Sequence, residues 1–158
     1  MYDIPVEEVR SNKEYILSIE LDTIITSSNH LAFPDIINYK DSIWLLAYRE
    51  SDKHVYGSFS RIKILKSSDF KKWEEINSYE IKGFDLRDPK FSLDKERNKL
   101  YLHFHSASEN GTMGKYANYR YNYYCVFNNS TKRFNTETDG TITTPDLFPQ
   151  DWLWKPIW

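Results

Sequence analysis

The sequence predicts an all-β chain of antiparallel strands, and three observations carry that prediction. Apolar and polar residues alternate with period two along several segments, and short clusters rich in Asn, Asp and Ser separate those segments. No stretch of helical length shows a 3.6-residue period. Residues 14–21 put Leu17, Ile19 and Leu21 on one face against Ile16, Ser18 and Glu20, which predicts a strand although Ser11-Asn12-Lys13-Glu14 has the form of a helix capping box. Ile43–Arg49 is apolar and aromatic, Arg61–Lys66 alternates Ile62 and Ile64 with Arg61 and Lys63, and Trp73–Ile81 follows a short polar turn. Lys99–His105 places Leu100, Leu102 and Phe104 opposite Tyr101, His103 and His105. Ala117–Asn128 sets Tyr119, Tyr121, Tyr123, Cys125 and Phe127 against Asn118, Arg120, Asn122, Tyr124 and Val126. Turn-rich clusters at 106–114 and 128–131 flank that last strand.

Composition narrows the function classes. The chain has 158 residues, enough for one domain, with 21 basic against 23 acidic side chains and a net charge of −2. Without a basic stripe there is no electrostatic footprint for nucleic acid. Aromatic residues make up 16% of the chain and 12 residues are Tyr, whose apolar ring and hydroxyl suit half-buried sheets and sugar-facing clefts alike. The single Cys125 rules out an internal disulfide. Met1–Glu8 has neither a basic n-region nor an apolar h-region, and no run reaches the roughly 18 apolar residues of a membrane span. A cytoplasmic protein with no membrane contact is expected, in which the sequons at Asn110, Asn128 and Asn129 carry no glycan.

A weak internal repeat organises the chain. Asp35 is followed by a short strand, a polar turn and the apolar strand Ile43–Arg49; Asp88 is followed by the same succession, ending in Lys99–His105. The two Asp residues stand 53 positions apart (88 − 35), and Phe148-Pro149-Gln150-Asp151 echoes Phe33-Pro34-Asp35 as a third start. A period near 50 with about four strands per unit is how propeller blades read, and rings hold roughly 4–8 of them. The predicted fold is therefore antiparallel four-stranded blades of an incomplete β-propeller of two to three blades. The repeats cover approximately 30–84 and 85–145, with a third beginning in 146–158, so the ring is expected to remain open. With only 5 Gly, the turns fall to Asn, Asp and Ser.

Three stretches, taken in order, bring a family into view. His30-Leu31-Ala32-Phe33-Pro34-Asp35 leads through Trp44-Leu45-Leu46-Ala47-Tyr48 to Arg49-Glu50 and His54; Ser67-Ser68-Asp69-Phe70-Lys71-Lys72-Trp73 follows; then comes Asp85-Leu86-Arg87-Asp88-Pro89-Lys90. Over residues 28–158 this series resembles the first two blades, and at Asp151-Trp152-Leu153-Trp154-Lys155 the opening of the next, of bacterial exo-α-sialidase-like glycosidases. Ser67–Trp73 resembles their Asp box, except that Lys71 stands where Gly is usual and Trp73 comes one residue early. In that form it is equally similar to a turn of invertase- and arabinanase-type five-bladed propellers, which also carry Arg-Asp-Pro in the second blade. In either family the turn is structural: Asp69 caps backbone amides and Trp73 packs between strands.

The resemblance implies acidic groups at the inner-strand starts, converging on a central pocket. Asp35 and Asp88 are the candidate catalytic pair, since glycoside cleavage usually takes one carboxyl to protonate the leaving oxygen and another to stabilise or attack the anomeric centre. Candidate substrate-binding residues are Arg49, Glu50, His54 and Arg87, with Arg49 either clamping a carboxylate or pairing with Asp88 across blades. His103 and His105 could meet one metal, but no third ligand is visible, so no metal site and no cofactor are expected. Tyr119, Tyr121 and Tyr123 read as a packing face. Three readings follow: a sialidase-like glycoside hydrolase fragment acting on carbohydrate or glycoconjugate and inactive alone, an arabinanase- or invertase-type fragment, or a non-catalytic carbohydrate-binding or assembly module. An open blade edge offers a route to self-association.

Overall fold

In the computed structural model the described residues are 22–40, 43–107, 120–142, 151, 153 and 154. The predicted strand at 14–21, Tyr119 and most of the proposed third repeat lie outside them. The described residues form two four-stranded antiparallel sheets and no helix. The first runs β1 (His30–Tyr39), β2 (Ile43–Ser51), β3 (Ser60–Ser67) and β4 (Glu74–Glu80), each paired with the next. The second repeats this order with β5 (Asp85–Asp94), β6 (Lys99–Ala107), β7 (Arg120–Val126) and the two-residue β8 (Gly140–Thr141).

Turn chemistry explains why so few glycines suffice. Between β4 and β5, Phe84 N–H donates to Ile81 O at 3.1 Å with Gly83 at φ +83°, the position of a type II turn that needs the left-handed region. In the other turns and loops the left-handed positions belong to Lys40, Tyr56, Phe70, Asn98 and Lys132, a costlier choice that surrounding hydrogen bonds hold in place. At β5–β6, Asp94 accepts the Arg97 amide at 2.9 Å and its guanidinium at 2.8 Å. At β3–β4, Asp69 accepts the amides of Lys71 and Lys72 at 2.9 and 2.8 Å, and Trp73 leans on the patch formed by Leu46, Tyr48 and Leu65. Both residues of the Asp-box-like turn thus have the structural role expected of them, and its left-handed residue is Phe70.

The core lies between the sheets. Leu45, Ala47, Ile62, Ile64, Ile76 and Tyr79 of the first sheet meet Leu86, Phe91, Leu100, Leu102, Phe104 and Cys125 of the second, with Phe127 and Phe134 closing one side. Each of the larger side chains contributes roughly 1.5–3 kcal/mol of burial. Tyr123 stacks on Phe104 and Tyr121 packs edge-on against Phe84, so the described part of the tyrosine ladder is a packing face. On the opposite face of the first sheet, Ile24 and Ile25 from the segment before β1 pack with Leu31 against Leu46, Tyr48 and Leu65.

Both sheets carry the same irregularity in the same place. In β1 the register slips between Ala32 (opposite Arg49) and Asp35 (opposite Ala47); in β5 it slips between Arg87 (opposite His105) and Lys90 (opposite His103). A proline sits in each slip, where a ladder donor is dispensable, and the residue before it is left-handed: Phe33 at φ +55° and Asp88 at φ +50°. This register corrects the sequence alignment of the repeat. Pro34 matches Pro89, so Phe33 is the counterpart of Asp88 and Lys90 that of Asp35; the two carboxylates do not hold equivalent positions. The sequence match favoured Asp over Asp, whereas the fold repeats the proline bulge.

Candidate functional site

At the end of the sheets formed by the β2–β3 loop and the β4–β5 turn, charge is buried in quantity. Arg49 emerges from the core face of β2 with none of its side chain exposed, and its partner is Asp85 at the start of β5. Asp85 Oδ1 accepts Arg49 Nε and Nη2 at 3.0 and 2.6 Å, Leu86 O shares the Nε hydrogen at 3.1 Å, and Lys53 O accepts from Nη1 at 2.9 Å. Asp85 Oδ2 accepts the Tyr56 amide at 2.8 Å and Arg87 Nε and Nη2 at 2.9 and 2.7 Å. Arg87 lies over the Tyr56 ring, 4.7 Å from its centre. Burial alone would raise the Asp85 pKa, but the Tyr56 amide and the two guanidiniums outweigh it and hold the carboxyl below its ordinary range. The ion pair expected between Arg49 and Asp88 is not formed; Arg49 pairs across the two sheets with Asp85 instead.

Asp88 occupies the β5 bulge. Its left-handed backbone turns the carboxyl inward, where it is 6% exposed, and its Oδ2 makes no hydrogen bond among the described residues. His105 Nδ1 stands 3.7 Å from that oxygen, beyond hydrogen-bond reach. Burial raises the Asp88 pKa and Asp85 adds to the rise, against the attraction of Lys90, Arg87 and Arg49. A carboxyl held this way keeps its proton to higher pH than a free one, as a proton donor must.

The other candidates divide. Asp35 Oδ2 accepts the Phe91 amide at 2.7 Å, stitching β1 to β5 just beyond Asp88. Glu50 sits on the opposite face of β2 from Arg49, bound by Ser27 and Asn29 and ion-paired with Lys63 at 3.0 Å, so these sequence neighbours do not share a site. Burial opposes the Glu50 charge, yet the bonds from Asn29, Lys63 and Ser27 keep its pKa low. His54 is exposed in the β2–β3 loop, 3.3 Å from His30 through their ring nitrogens and packed against Phe33. Thus Arg49, Arg87 and Asp88 gather around Asp85, while Glu50 and His54 stand apart.

The sequence motifs leave Asp85 without a role of its own. Its signal was available, because Asp85 and Arg87 alternate onto one strand face with Leu86 between them. Tyr56 and His105 were not foreseen as parts of the site. The second histidine of that strand, His103, bonds Ser92 Oγ at 2.8 Å, and burial pushes its pKa down to about 4. No cluster of three or more metal-ligating side chains occurs among the described residues. A cleft of about 190 Å³ opens beside the network, walled by Tyr56, Phe59, Lys82 and Phe84 and reaching Asp85. No protein-family model matches the chain, nor does any curated protein match it. Among the described residues no helix is long and apolar enough to cross a membrane.

Proposed function

We propose that the two sheets are consecutive blades of a carbohydrate-handling propeller of the sialidase-like glycosidase type, with Asp88 as its acid. The observation that carries this reading is the Asp88 carboxyl, buried without a hydrogen bond on Oδ2 at a left-handed bulge and raised in pKa. A glycosidic oxygen leaving from a sugar needs such a proton, and Arg87 with Tyr56 would line the approach. Asp35, on the neighbouring strand, supports the β5 backbone and so positions Asp88. The described blades supply one acid of this kind, whereas cleavage usually takes two carboxyl groups. The chain is therefore expected to retain a glycoside without turning it over.

Purified chain assayed with fluorogenic sialosides and arabinosides, alongside saturation-transfer NMR with the same sugars, tests this reading. Expected are sugar contacts that weaken in Asp88→Asn and no release of fluorophore. Turnover abolished by Asp88→Asn would overturn the inactive reading, and absence of any sugar contact would overturn the carbohydrate reading altogether. The rival is a non-catalytic assembly module, and one observation favours it: Arg49 and Asp85 neutralise each other internally, so the Arg49 guanidinium is not available to clamp a substrate carboxylate.

A further inference from the structure

A second cleft, of about 330 Å³, lies at the other end of the sheets, where Ile43 begins β2 and the β3–β4 turn meets the 128–133 turn of the second sheet. Three lysines line it from three segments: Lys66 from β3, Lys72 from the β3–β4 turn and Lys132 from the 128–133 turn of the second sheet. Only one carboxylate lines the cleft, that of Glu74, and it is already taken: Lys66 holds one oxygen at 3.5 Å and Arg133 the other at 3.2 Å. Among the described residues neither Lys72 nor Lys132 has a carboxylate partner. The protein as a whole carries a net charge of −2, so this local cationic surplus runs against its general balance.

The walls are fixed. Asp69 pins the Lys71 and Lys72 amides, and Asn128 pins the turn carrying Lys132 by accepting the Ser130 amide at 2.9 Å and, through its carbonyl, the Lys132 amide at 2.9 Å. Trp73 forms one wall, braced by Phe70 at 5.4 Å between ring centres and by the apolar patch behind it, and Ser68 lies beside it. Unpaired ammonium groups, a hydroxyl and a braced indole face in a volume suited to a small ligand define one chemistry.

We propose that this cleft binds a monosaccharide bearing an oxyanion, its sulfate, phosphate or carboxylate between Lys72 and Lys132 and its ring against Trp73. Lysines act as point charges with no bidentate geometry, so the cleft selects for charge and leaves the identity of the oxyanion open. The site is remote from Asp88 and stands whether or not that carboxyl handles sugar.

Titration of the full chain with glucose 6-sulfate, glucose 6-phosphate, glucuronate, glucose and inorganic sulfate, followed by calorimetry or NMR at low salt, tests the proposal. The sugar oxyanions are expected to bind at least about tenfold more tightly than glucose, and more weakly as salt rises. Lys72→Glu and Lys132→Glu should each reduce that affinity by at least about fivefold, while Lys95→Glu, at an exposed lysine that lines neither cleft, leaves it within about twofold. Circular dichroism melts of each variant confirm the fold, and Lys72→Gln and Lys132→Gln should repeat the loss at smaller size. Equal binding of glucose and its sulfate overturns the site, as does an equal loss from Lys95→Glu. Inorganic sulfate binding as tightly as the sugar sulfate overturns the role given to Trp73.

Discussion

A guanidinium shut away from water keeps its place only through the acceptors around it, and Arg49 finds them in Asp85, Leu86 and Lys53. Removing one partner of such a pair strands the other charge, so Asp85→Asn should cost about 3–5 kcal/mol in urea unfolding. Because the folded Asp85 pKa is depressed, its stabilisation is present above the ordinary carboxylate range and disappears as pH falls through the folded value. Asp88 has the opposite sign. Its raised pKa stabilises the fold below the ordinary carboxylate value, and that contribution is lost as pH rises through the folded one. Asp88→Asn should therefore raise stability at neutral pH and change little in acid. His103 falls from 6.5 to about 4 on folding, so it binds protons better unfolded and stability drops as pH falls across that window. A stability–pH curve of His103→Gln should be flatter between those values than that of the parent chain.

At the scale of the element, most strands were legible because their alternation was strong. Ile43–Arg49, Arg61–Lys66 and Lys99–His105 all lie within the observed β2, β3 and β6. What sequence could not supply was the extent of β1 and β5, which begin at His30 and Asp85 and continue through a proline each. Proline argues against a strand interior unless a bulge accommodates it, and a bulge is a property of the pair, not of one segment. The same limit hid the partner of Arg49, which lies 36 residues on in another sheet. The β3–β4 turn was readable from Ser67, Asp69 and Trp73 because its hydrogen bonds are local. Asp69→Ala should lower the thermal midpoint and loosen the Phe70–Trp73 contact, seen as a change in near-ultraviolet circular dichroism, while Asp69→Asn keeps part of both.

The whole molecule shows a directional arrangement. The first sheet turns Leu45 and Ala47 toward the second, and the matching face of the second sheet, given the register of the bulges, carries His103, His105 and Asn122. Asn122 grips chain from far ahead: its amide donates to Asp151 O at 3.2 Å and its oxygen accepts the Leu153 amide at 3.1 Å. Trp154, next along, is 65% exposed. Asn122→Ala should therefore speed hydrogen exchange at the Leu153 amide. With that polar face uncovered, light scattering at tens of micromolar should register larger species than the parent chain forms.

The Arg49–Asp85 pair joins a residue of the first sheet to the residue that opens the second, while the only covalent link between the sheets among the described residues is the exposed Lys82–Gly83 turn. A protease nick at Gly83 should leave two pieces that still migrate together, and the pieces expressed separately should reconstitute on mixing. With a donor and an acceptor fluorophore on them, the chain becomes a split reporter whose signal vanishes when Asp85 is changed to Asn.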